Sequence, residues 1–260
     1  MSGAVPPAKS LAVVVIASIV ALVGCAAPRV STTPAATPTA AIAAPVNACA
    51  SPDNTGPQSA VAAKDAPRRR IYLMRHGEAA YLDAQGQRVA NPDIVELTER
   101  GHEQARAAAQ WFCTMGVRSF DRVITSDLPR AQQTARDMLD TMGLAGIQPQ
   151  SWAELREMQS GSRESIEEAR ARIVPALARL RGESWDAALV IVHTLVNQVI
   201  LSEALTGTDE LYGRFEQGNG CINILDVGTA PQDWVVRAVN VCPDTFNYGS
   251  RQSLLERLRR

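Results

Sequence analysis

From Arg70 onward the chain alternates short unbroken apolar runs with longer amphipathic stretches. Ile71-Tyr72-Leu73-Met74 and Ala187-Ala188-Leu189-Val190-Ile191-Val192 are the strongest runs, and unbroken apolar runs of this length predict strands covered on both faces. Asp121–Thr125 reads as a second short strand. Apolar residues recur at helical spacing through Ala105, Ala108, Trp111 and Phe112, which predicts a helix capped by Thr98 and ended by Gly116. Ser126-Asp127-Leu128-Pro129 reads as another helix start, with a capping side chain and Pro in the first turn. That helix continues through Ala131, Ala135, Met138 and Leu139 to Gly143. A helical stretch spans Ser165 to Leu180, with Pro175 as a kink or early break. Another helix, Leu195 to Leu205, follows the strand that ends at Val192. Strands near Cys221–Val227 and Trp234–Val241 close the pattern as an antiparallel pair. Strand–helix alternation of this kind predicts an α/β fold: a three-layer sandwich with a mainly parallel sheet flanked by helices.

The first 66 residues follow a different pattern. Leu11 to Gly24 is an apolar run preceded by Lys9, too short for a comfortable bilayer span and of the length of a signal-peptide core. Leu22-Val23-Gly24-Cys25 resembles the lipobox of bacterial lipoproteins, which implies cleavage before Cys25 and acylation of its thiol. The alternative is a plain secretory signal or a short membrane anchor. Ala26 stands where an Asp would favour the inner membrane, so the expected location is extracytoplasmic, on the periplasmic face of the outer membrane. Residues 25–66 are rich in Ala, Pro and Thr with almost no charge, and cannot bury enough apolar surface to offset their ordering entropy. They are expected to form a disordered tether reaching on the order of 100 Å when extended. Residues 67–260 then form a single domain.

Composition narrows the function classes. The formal net charge is −1, so no overall field attracts nucleic acid. Lys occurs only at Lys9 and Lys64, and the domain uses Arg throughout, so Arg68-Arg69-Arg70 is not read as a nucleic-acid patch. Besides Cys25, four cysteines would sit in an oxidising compartment: Cys49, Cys113, Cys221 and Cys242. Four cysteines allow three pairings, and sequence does not choose among them. Cys221 and Cys242 flank the predicted hairpin and form the favoured pair. No Cys or His spacing suits zinc, and no metal or cofactor is expected.

The chemistry collects at strand ends. His76 follows the first strand, His193 follows the most apolar one, and Arg130 lies in the first turn of the helix after the second strand. With Arg75, these residues reach one edge of a parallel sheet, where α/β folds bind ligands. A neutral imidazole is a nucleophile, and a guanidinium fits phosphoryl oxygens. The alternative is a pair of structural, hydrogen-bonded histidines. His102 sits on a polar helix face and is expected to be exposed.

These residues lie within five motifs. They are Leu73-Met74-Arg75-His76-Gly77-Glu78, Leu97-Thr98-Glu99-Arg100-Gly101-His102-Glu103-Gln104-Ala105, Ser126-Asp127-Leu128-Pro129-Arg130-Ala131-Gln132-Gln133-Thr134-Ala135, Leu155-Arg156-Glu157-Met158-Gln159-Ser160-Gly161, and Val192-His193. In kind and order they resemble the histidine phosphatase superfamily, the phosphoglycerate mutase-like fold. The resemblance implies that His76 attacks phosphorus and carries a phosphohistidine. It implies that Arg75, Arg130 and His193 hold the phosphoryl oxygens, and that Glu157 is the general acid and base. Glu154 and Glu78 remain rivals of Glu157 at this level. Thr194 departs from the Gly that many relatives place after the second histidine. No Asn follows Glu78 closely, and the stretch between Glu157 and His193 is short for a mutase insertion. Hydrolysis of a small phosphorylated substrate is therefore expected rather than mutase chemistry. A protein phosphohistidine phosphatase and a non-catalytic phosphate-binding lipoprotein are the alternatives. Specificity is expected in the loops Tyr81–Ile94 and Met158–Ile166.

Overall fold

A computed structural model describes residue 49 and residues 68–158, 164–228, 230 and 232–245. The expected signal peptide, the lipidation site Cys25 and the tether, apart from Cys49, lie outside the described residues. So do residues 159–163 of the second specificity loop.

The apolar runs form the sheet. Strand β1 is Arg69–Arg75, β2 Arg122–Ser126, β3 Gln150–Trp152, β4 Ala187–Val192, β5 Ile222–Val227 and β6 Trp234–Val241. Their order is β3-β2-β4-β1-β5-β6. The first four pair in parallel, β5 runs antiparallel to β1, and β6 antiparallel to β5. Helices α1 (Glu99–Thr114), α2 (Pro129–Met142), α3 (Ile166–Gly182) and α4 (Thr194–Thr206) complete a three-layer α/β fold.

Side chains alternate across each strand, so the central strands feed two cores. Ile71, Leu73, Val190 and Val192 meet α3 and α4 on one face. Tyr72, Met74, Leu189 and Ile191 meet α1 and α2 on the other. Phe112, fully buried in the second core, stacks edge-on to Tyr72 at 4.9 Å and to Phe120 at 5.3 Å. Burial of one such ring is worth roughly 1.5–3 kcal/mol.

Four local features differ from the sequence reading. α2 is capped by Leu128 without a side-chain bond, because the Ser126 hydroxyl instead accepts from the Leu128 amide at 3.3 Å. α3 passes through Pro175 and ends at Gly182, its start fixed by a reciprocal capping box between Ser165 and Glu168. His102 is half-buried and bonds Asp137 of α2 through Nδ1, rather than lying free in solvent. β3 was not anticipated, since three residues carry too little pattern to announce a strand.

Cys221 is disulfide-bonded to Cys242, and Cys49 to Cys113. The basic triplet is occupied internally: Arg68 pairs with Asp233, Arg70 with Asp226, and Arg69 lies over Trp185 while donating to the Glu183 carbonyl.

Candidate active site

The parallel register sets the site. β1 and β4 align Arg75 with Val192, so His76 and His193 leave neighbouring strands at the same level. The His76 amide donates to the Val192 carbonyl at 2.9 Å, and the two imidazoles lie 5.0 Å apart between ring centres. Both side chains are buried.

Nδ1 of His76 lies 2.6 Å from the Gly77 carbonyl. A carbonyl only accepts, so Nδ1 carries the proton and Nε2 keeps its lone pair. Burial, then Arg130 and Arg75, push the His76 pKa down to about 3, so the ring is neutral around pH 7. Burial also holds His193 well below the ordinary histidine value, with His76, Arg130 and Arg75 adding to the effect. Neither ring nitrogen of His193 has a hydrogen-bond partner among the described residues.

Arg75 and Arg130 are each held by one bond and left open at another. The Arg75 guanidinium donates to the Gln217 carbonyl at 2.7 Å, and that of Arg130 to the Pro92 carbonyl at 2.8 Å. Nε of both is buried without a partner. Arg130 also lies over the Tyr81 ring, at 5.4 Å from its centre. Thr134 joins α2 to the loop that carries His76: its hydroxyl donates to the Arg130 carbonyl at 2.7 Å and accepts from the Gly77 amide at 3.1 Å.

The three carboxylates separate clearly. Glu157 lines a cavity of about 570 Å³ together with Tyr81, Met158, Leu195 and Arg130. Its carboxyl accepts from the Met158 amide at 3.0 Å and from the Leu195 amide at 3.4 Å, in the first turn of α4. Burial nevertheless pushes its pKa up, against those two amides and the nearby Arg130 and Arg75. Glu154, in a 3₁₀ turn, faces Arg179 at 2.8 Å, which holds its carboxyl below the usual range. Glu78 accepts from the Thr98 hydroxyl at 2.9 Å, at the start of α1. Arg156, next to Glu157, binds Asp127 just ahead of α2 and so ties the Glu157 segment to the helix that carries Arg130. Thr194 opens α4, and its side chain makes no hydrogen bond among the described residues.

A buried amide cluster behind Arg75 was invisible in the sequence. Asn223 of β5 donates to the Leu73 carbonyl at 3.1 Å and exchanges bonds with Gln217. Asn197 of α4 donates to Gln217 at 2.9 Å, and Asn223 accepts from the Asn240 amide at 3.0 Å. This cluster fixes the Gln217 carbonyl that aims Arg75. The Cys221–Cys242 disulfide closes the same loop, whose Gly220 amide donates to the carbonyls of Arg75 and His76. Four amide residues scattered over three elements and a loop have no common spacing, so no local signal could have grouped them.

Comparison with known proteins bears on this arrangement. A model of the histidine phosphatase superfamily (branch 1) matches residues 71–164 and 159–241. The mitochondrial serine/threonine-protein phosphatase Pgam5 of Drosophila persimilis is 40% identical over 90 residues, 34% of this chain and 28% of that protein. The match therefore spans less than a third of that relative. The alpha-ribazole phosphatase from Shigella flexneri superposes with a TM-score of 0.56 at 23% identity, covering 66% of this chain and 96% of that one. The protein histidine phosphatase SixA gives 0.53 at 22% identity, covering 67% and 97%. The two structural likenesses concern the fold.

Proposed function

The chain belongs to the histidine phosphatase superfamily, and from that premise we propose that it hydrolyses phosphomonoesters through a phosphohistidine on His76, without a metal. The observation that carries this reading is the ring of buried, unpartnered donors around the nucleophile: Arg75 Nε, Arg130 Nε and the His193 ring. Leaving such groups buried without partners costs about 1–3 kcal/mol each, and the equatorial oxygens of a phosphoryl group would satisfy them.

In the first step Nε2 of His76 attacks phosphorus, the P–N bond forms, and the P–O bond to the leaving group breaks. Glu157, whose burial favours the protonated form, gives its proton to the departing oxygen. In the second step the Glu157 carboxylate takes a proton from water, hydroxide attacks phosphorus, and the P–N bond breaks to release phosphate and neutral His76. Arg75, Arg130 and His193 balance the charge that spreads over the phosphoryl oxygens. The cavity beside Glu157, at about 570 Å³, has the size of a small-molecule site, which favours a small ester over a phosphohistidine presented on a protein surface.

The test compares an alkyl phosphate, which needs its leaving oxygen protonated, with p-nitrophenyl phosphate, which does not. As pH rises through the elevated Glu157 pKa the acid is lost, so alkyl turnover is expected to fall relative to p-nitrophenyl turnover. Glu157→Gln should lower the alkyl rate by roughly 10²–10³-fold and the p-nitrophenyl phosphorylation step far less. Equal losses on both substrates would remove Glu157 from the role of acid.

The same reading places the domain outside the cytoplasm on a lipid anchor at Cys25. The apolar run ending in Leu22-Val23-Gly24-Cys25 supports it, as do two disulfides of a kind that persists in oxidising compartments. Metabolic labelling with a fatty-acid analogue should mark the full-length chain and be lost in Cys25→Ala; label retained in that variant argues against the anchor.

A further inference from the structure

We infer that Arg88 binds a second anionic group on the substrate, so that the preferred substrates are phosphomonoesters whose leaving group joins an apolar body to another oxyanion. This rests on the phosphatase reading of the same site and narrows it to a substrate class.

The cavity of about 570 Å³ has the size of a small-molecule site and runs from Arg130 and Glu157 to Leu82 and Arg88. One wall is a hairpin. The Val89 amide donates to the Tyr81 carbonyl at 3.0 Å and the Asp83 amide to the Gln87 carbonyl at 2.8 Å. Asp83 Oδ1 accepts from the Gln85 and Gln87 amides, so the hairpin turn is internally bonded. Leu82 and Arg88 face each other in an antiparallel bridge, which puts their side chains on one face of the hairpin. Both line the cavity. Leu82 is 59% exposed there, an apolar surface beside the catalytic centre.

Among the described residues that line the cavity, one cation is uncommitted. Arg130 and Glu157 belong to phosphoryl transfer. Asp93 lies 3.4 Å from Arg156, which also holds Asp127. Arg88 makes no hydrogen bond or ion pair among the described residues. Its planar fork suits carboxylate or phosphate oxygens, and the nearby Leu82, Tyr81 and Val89 suit an apolar body between the two anions. An exposed Arg alone would mean little; this one shares a cavity with an exposed Leu and with Arg130 and Glu157.

The experiment measures binding apart from turnover. Benzylphosphonate, 4-carboxybenzylphosphonate and xylylene-1,4-bisphosphonate are titrated calorimetrically into the full-length chain in detergent, with Arg88→Ala and Arg88→Lys alongside. The wild type is expected to bind at least one doubly anionic ligand about fivefold or more tightly than benzylphosphonate, and the two ligands distinguish a carboxylate from a phosphate partner. Arg88→Ala should lose that preference while binding benzylphosphonate as the wild type does, and Arg88→Lys should keep part of it. Equal affinities for all three ligands, or a uniform loss in Arg88→Ala, overturn the inference. Turnover of p-nitrophenyl phosphate by the wild type reports separately on the phosphatase reading: turnover with equal affinities sinks Arg88 alone, whereas preference without turnover upholds Arg88 and sinks hydrolysis.

Discussion

In His76→Ala, phosphomonoester turnover is expected to fall by at least about 10⁴-fold, because the variant loses the atom proposed to form the P–N bond. Among the described residues no other group is placed to replace it. His193 is the nearest imidazole, but it leaves the adjacent strand, and its ring is set at 61° to that of His76 with 5.0 Å between centres. The anion site should outlast the substitution. Arg75 keeps its bond to the Gln217 carbonyl and Arg130 its bond to the Pro92 carbonyl, and neither depends on the His76 side chain. Because His76 is neutral in the free protein, its removal takes no positive charge from the pocket. Inhibition by inorganic phosphate is therefore expected to stay within about threefold of the wild type, since the ion pairs that dominate phosphate affinity remain. An acid-labile phosphoenzyme should be trapped in the wild type and be absent from the variant. Persistent labelling in His76→Ala would mean that another residue is the nucleophile. Loss of phosphate binding along with activity would mean that the site itself had collapsed.

Some of this was legible in the chain and some was not, for identifiable reasons. His76 and His193 stand out because a buried parallel strand is written as an unbroken apolar run, and the first polar residue after it must lie at the strand's carboxyl end. Arg130 is readable because Pro129 marks the first turn of a helix. The choice between Glu154 and Glu157 was not readable: they are separated by one short turn, and only the positions of Arg179 and the α4 amides send one to a salt bridge and the other to the cavity. Tyr81 could be assigned to a specificity loop but not to its place under Arg130. The amide cluster behind Arg75 and the Cys49–Cys113 bond join residues far apart in sequence, and only the folded arrangement defines them. The exposed state expected for His102 failed for the same reason, since its partner Asp137 sits on another helix.

The motif glycines illustrate this divide, and they carry the second large effect. By helix propensity alone Gly101 is a poor choice, since Ala in the same first turn of α1 would be favoured by about 1 kcal/mol. The loop that carries His76 reverses that preference. A Cβ on Gly101 would lie 2.0 Å from the Glu78 carbonyl oxygen, and a Cβ on Gly77 would lie 2.4 Å from the Gly101 carbonyl oxygen. Both obstacles are backbone, so no side-chain rotation relieves them. The contact is also bonded: the Thr98 amide donates to the Glu78 carbonyl at 3.0 Å, and the Thr98 hydroxyl caps the Gly101 amide at 3.1 Å. A methyl group at Gly101 must therefore push the His76–Glu78 segment away from α1. Gly101→Ala is expected to destabilise the domain by on the order of 4 kcal/mol, in the range reserved for severe steric conflict. Denaturant unfolding would measure this, with Gly146→Ala as the control, because nothing lies within 4 Å of a Cβ there. That control should stay within about 0.5 kcal/mol of the wild type. Any folded fraction of Gly101→Ala should also bind phosphate more weakly, since the displaced loop carries the bond from the Gly77 amide to Thr134 and, through it, the first turn of α2 where Arg130 sits. If Gly101→Ala instead matches its control in stability, the loop and helix are not packed backbone to backbone, and the placement of His76 must come from the strand register alone.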